Sequence, residues 1–123
     1  MAQPAQLADV FAQLKAIIEP FAAWLKVEAD TASGYSLNTP YVEQWKKELF
    51  FGAVQIKKNY VSYHLMPVYM YPDLLEGIAP ALQKRMQGKS CFNFTALDPA
   101  LLAELAQLTE RGFERMRQEY GIA

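Results

Sequence analysis

A single cysteine, Cys91, and a single histidine, His64, are the scarcest chemistry in this 123-residue chain. One cysteine excludes an intramolecular disulfide and any thiolate-rich zinc or iron–sulfur site built within one chain. One histidine leaves no Ser-His-Asp or Cys-His order to assign, and a histidine metal site would have to recruit carboxylates from elsewhere in the fold. An excess of charge of one sign is also missing. Twelve basic residues against thirteen acidic ones give a formal net charge of -1, without the strongly basic face of an electrostatic nucleic-acid binder. No apolar run reaches the roughly 18 to 20 residues that a transmembrane helix requires. Met1-Ala2-Gln3-Pro4 carries neither the basic start nor the apolar stretch of a signal peptide. The expectation is a cytoplasmic protein with no nucleic-acid or membrane partner.

What is present is a core. Hydrophobic residues make up 52% and aromatic ones 13%, and the length suits one globular domain over 1–123. Leu7, Val10, Phe11, Leu14, Ile17, Ile18 and Phe21 fall at spacings of three and four, which predicts a first helix. Pro20 breaks or kinks it near Ile18 to Pro20, before a short turn over Phe21 to Leu25. Leu25, Val27 and Ala29 alternate with Lys26, Glu28 and Asp30, the period of a half-exposed strand. Ser33-Gly34 reads as a turn into Tyr35 to Asn38, ended by Thr39-Pro40. Tyr41 to Lys47 is open between a short helix and an irregular connection.

Leu49 to Lys57 and Tyr60 to Val68 read as an antiparallel hairpin around Lys58-Asn59. Alternation puts Tyr60, Ser62, His64 and Met66 on one face and Val61, Tyr63 and Leu65 on the other. Pro72 starts a helical turn, and Pro80 a helix to about Met86, ended by Gln87-Gly88. Ser90 to Thr95 is a short strand with Phe92 and Phe94 on one side and Cys91 and Asn93 on the other. Asp98-Pro99 supplies a cap and first-turn proline for the last helix, where Gly112 marks a close approach to another element. With no internal repeat, the order predicts an α+β domain. Its mainly antiparallel sheet has about five strands, with N-terminal and C-terminal helices packed on it.

The candidate site follows from polar and aromatic residues without catalytic pairs. Tyr60, His64, Tyr69, Lys89 and Cys91 are the expected ligand-binding set. Tyr41, Trp45, Tyr63 and Tyr71 are further candidates for an aromatic pocket. Lys89 near Cys91 could activate the thiol, against a plain packing role. Lys46, Lys47, Lys57 and Lys58 form the clearest basic patch. Along the last helix, Glu110 and Glu114 lie among arginines and read as a solvated face.

In Phe50-Phe51-Gly52-Ala53-Val54, Tyr60-Val61-Ser62-Tyr63-His64-Leu65 and Gly88-Lys89-Ser90-Cys91-Phe92-Asn93-Phe94, the chain resembles the YdhG-like superfamily of bacterial domains of unknown function, over most of residues 20 to 118. The resemblance implies a small α+β domain, in a superfamily where some members are described as frataxin-like iron chaperones. The leading expectation is a non-enzymatic small-ligand-binding or accessory protein without a cofactor, as a monomer or homodimer. Its alternatives are an iron-binding chaperone using Glu110 and Glu114, and an enzyme using His64 as acid or base.

Overall fold

The structure is a computed structural model that describes residues 3–122; the expected domain of 1–123 extends past these at both ends. Five strands form one antiparallel meander in the order β1 (Lys26–Asp30), β2 (Gly34–Val42), β3 (Lys47–Ile56), β4 (Val61–Leu65) and β5 (Cys91–Phe94). Helix α1 (Pro4–Ile18) precedes the sheet, short helices α2 (Met66–Met70) and α3 (Pro80–Gln83) separate β4 from β5, and α4 (Pro99–Tyr120) closes the chain. The α+β expectation holds, with terminal helices packed on a five-stranded sheet.

The apolar stripe of α1 and that of α4 meet one face of the sheet. Leu14, Ile18, Leu105, Leu108 and Met116 are fully buried there, against Leu37, Tyr63, Leu65, Phe92 and Phe94. Ile18 ends α1 because Pro20 follows, and a tighter turn covers Glu19–Ala23, as the break near Pro20 requires. Asp98 caps α4 by accepting a 2.8 Å hydrogen bond from the Leu101 amide, and Gly121 ends it in the left-handed conformation at φ 67°, where glycine carries no Cβ penalty.

Several borders differ from the sequence reading. The strand expected over Tyr60 to Val68 stops at Leu65, and Met66–Met70 coil into α2. Pro67 lacks the amide a central strand must donate, yet it suits a first helical turn. Conversely, β2 does not end at Thr39-Pro40 but runs to Val42, through a register irregularity between Asn38 and Tyr41. There the Thr39 hydroxyl accepts from the Leu49 amide at 2.9 Å and donates to the Pro40 carbonyl at 2.8 Å. A side chain thus supplies ladder bonding where proline cannot, which is how a sheet tolerates proline at an irregularity. The open segment Tyr41 to Lys47 resolves into the end of β2, a tight turn with Lys46 at φ 55°, and the start of β3. Helix α3 stops at Gln83, and Met86, expected to end it, instead bridges to Phe92 beside β5.

Strand β3 carries a bulge that positions the site. Leu37 pairs with Gly52 and Asn38 with Phe50, so Phe51 has no partner in the ladder. Strict alternation would send Phe50 with Gly52 toward the helices. The extra residue instead lets Phe51 and Gly52 both face the core, where the Phe51 ring meets Phe113 at 6.0 Å, and turns Phe50 to the other face against His64 at 5.0 Å. Re-aiming a side chain is the usual effect of a bulge.

Candidate functional site

The sheet face away from the core is built in rows. Ser36, Ala53, His64 and Cys91 are successive cross-strand partners over four strands, and Gly34, Gln55, Ser62 and Asn93 form the next row. Because side chains alternate with a period of two, both rows point the same way. All of these except Gly34 floor a hollow of about 330 Å³, whose walls are completed by Phe50, Lys57, Tyr60 and Gln87. That volume lies at the small end of the range for ligand sites, about 300 to 1,000 Å³.

His64 is half-buried, and its Nε2 lies 2.7 Å from the Ser90 hydroxyl. Burial holds its pKa below the usual 6.5, because a desolvated imidazolium is disfavoured, so the ring is neutral at pH 7. Cys91 pairs with His64 across the strands. Burial pushes its thiol up, an effect only partly offset by a hydrogen bond with Ser62 and the charge of Lys57. An activated nucleophile needs the opposite shift. No carboxylate lines the hollow among the described residues. Asn93 Oδ1 lies sealed beneath this surface without a hydrogen-bond partner, which costs about 1–3 kcal/mol. The hollow therefore offers neutral donors and acceptors, with one ammonium among its wall residues.

A second hollow, of about 600 Å³, shares Phe50 with the first. It is largely apolar and aromatic: Leu49, Met66, Met70, Trp45 and Tyr69 line it, with Asn38, Lys47 and Glu48 in the polar part of its wall. Trp45 and Tyr69 are 54% and 56% exposed. The expected binding set is thus divided. Tyr60, His64 and Cys91 share the first hollow, Tyr69 belongs to the second, and Lys89, exposed in the loop before β5, lines neither.

Two other groupings come apart. Tyr63 is fully buried in the core, and the Tyr71 hydroxyl donates to Glu119 of α4 at 2.6 Å, so neither belongs to an aromatic pocket on this face. Lys46 and Lys47 sit at one end of β3 and Lys57 and Lys58 at the other, about 30 Å apart at strand rise. They are not one patch. No family model, curated protein or solved structure matches this chain.

The acidic alternative lies on the helical side. Glu110 and Glu114 line a groove of about 580 Å³ on α4 together with Arg111 and Arg115. The Glu114 carboxylate accepts from the Arg117 guanidinium at 2.8 Å, and Arg115 grips Asp73 at 2.7 and 3.0 Å. These guanidiniums hold the carboxylates of Glu114 and Asp73 below their usual range. A cation entering there would meet positive charge already in place. Among the described residues, no three His, Cys, Asp or Glu side chains converge to hold a metal ion.

Sequence reasoning missed Ser36, Gln55, Ser62 and Asn93 as lining residues of the site, and Ser90 as the partner of His64. Alternation did place Cys91 with Asn93, and Ser62 with His64. What it lacked was the pairing of β4 with β5, which sets those pairs side by side.

Proposed function

We propose that this protein binds a small, uncharged polar molecule in the hollow on the second sheet face, without catalysing a reaction on it. The observation that carries this reading is the convergence of Gln55, Ser62, His64, Cys91 and Asn93 on one concavity, where burial favours the neutral imidazole and the protonated thiol. The three segments that carry the YdhG-like resemblance cover half of β3 and all of β4 and β5, and they include Ser62, His64, Cys91 and Asn93 but not Gln55. A cytoplasmic setting belongs to the same proposal. The iron-chaperone alternative has weaker support, because Glu110 and Glu114 share their groove with arginines.

A fragment screen by two-dimensional amide NMR tests the proposal. Binders are expected to shift the resonances of Ser62, His64, Cys91 and Asn93 together. Replacing His64 with Ala should weaken them up to about tenfold, the worth of one net hydrogen bond. Fragments that bind only elsewhere, or none that bind at all, would overturn it.

A further inference from the structure

The two hollows differ in chemistry and meet at one side chain. The first presents neutral hydrogen-bonding groups and the Lys57 ammonium in its wall, with the unpartnered amide oxygen of Asn93 sealed beneath its floor. The second presents Trp45, Tyr69, Met66 and Met70. Phe50 belongs to both walls and is held in place by its edge contact with His64 at 5.0 Å. Thioether side chains adapt to irregular apolar guests, while aromatic walls give large contact area at little entropic cost. Trp45, whose indole N–H donates to the Tyr120 hydroxyl at 3.1 Å, and Tyr69 leave much of their ring surface open at this hollow.

We infer that the ligand is an amphiphile whose uncharged hydrogen-bonding head occupies the Ser62–His64–Asn93 hollow while its apolar tail crosses Phe50 into the Trp45–Tyr69 hollow. This rests on the reading of the first hollow as a binding site and extends it to a ligand class, of which a primary amide on a short alkyl chain is the simplest member. The amide head matches Gln55, whose side chain can both donate and accept. A carboxylate head would lose hydration on entering this half-buried hollow, and the Lys57 ammonium in its wall is the one charged group there that could offset that loss.

Butanamide, hexanamide and octanamide, titrated into the wild-type protein, read this directly. Affinity should rise about fourfold per added methylene, the equivalent of about 0.8 kcal/mol for each one buried. The resonances of both hollows should move with a single Kd. Trp45→Ala should flatten the chain-length dependence while leaving the shifts at Ser62 and Asn93 in place. Trp24→Ala, at an exposed tryptophan that lines neither hollow, should change nothing. Equal affinity along the series, or shifts confined to either hollow, would overturn the amphiphile while sparing the binding reading. Silence from all three amides alongside polar fragments that bind the first hollow would do the same. Silence from amides and fragments alike would remove the binding site and the inference with it.

Discussion

Thr109 shows how a single hydroxyl fixes the site from the far side of the sheet. It is fully buried on α4 and donates to the Leu105 carbonyl at 2.8 Å. Its proton being committed there, the Tyr63 hydroxyl is the donor in the 2.6 Å bond between the two side chains. Tyr63 lies between Ser62 and His64 on β4, so this bond holds the strand from below while its neighbours face the hollow. Thr109→Val removes the acceptor and leaves a buried phenol unsatisfied, at an expected loss of about 1–3 kcal/mol. Urea unfolding measures it, and adding Tyr63→Phe to that variant should recover part of the loss, since both partners are then apolar.

At the scale of elements, α4 and α2 meet in a close joint. A Cβ built on Gly112 would lie 2.9 Å from Cβ and 3.2 Å from Cγ of Pro67, and the proline ring cannot rotate away. Gly112→Ala should therefore destabilise the fold by about 1–3 kcal/mol through overpacking, read as a lower thermal midpoint. Since α2 also carries Tyr69 and Met70 of the apolar hollow, their resonances should shift in the variant. The sequence disclosed that Gly112 meets another element, from its place inside a strongly patterned helix, but not which one. It likewise disclosed both terminal helices, the β3–β4 hairpin and the two faces of β4. The Phe51 bulge stayed hidden because both phenylalanines satisfy an apolar pattern in either orientation. The continuation of β2 past Pro40 was hidden for another reason: it depends on a buried threonine bonding to a strand ten residues away.

For the molecule as a whole, stability should fall off with pH in separable stages. The folded-state pKa of His64 is lowered from 6.5 by burial, so its contribution is complete above that value and is lost as pH falls through the folded pKa. Glu48, Glu114 and Asp73, lowered by their hydrogen-bonded cationic partners, hold their contribution until acidification passes the usual carboxylate range. On the alkaline side Cys91 and Tyr63, raised by burial, favour the folded state until pH climbs past their ordinary values of 9.0 and 10.0. Urea midpoints between pH 7.5 and 5 should decline in the wild type and stay flatter in His64→Gln; parallel slopes would remove His64 from this account. The candidate site was half legible at this scale: residue types and faces were in the sequence, while the division between two hollows required the tertiary positions of α2 and the β2–β3 turn.

The borders of the sheet have a consequence for crowded solutions. Unpaired strand edges are templates for another chain. Here β1 is exposed along its whole length and carries Lys26, Glu28 and Asp30. Two of these are tied down, Lys26 to Glu48 and Asp30 to Lys15. At the opposite border, the backbone of β5 bonds to Arg85 and Gln87 and bridges to Met86. One margin is guarded by charge and the other by the chain folding back on itself, so the sheet resists growing by the addition of foreign strands and its polar hollow can stay open to water without inviting aggregation.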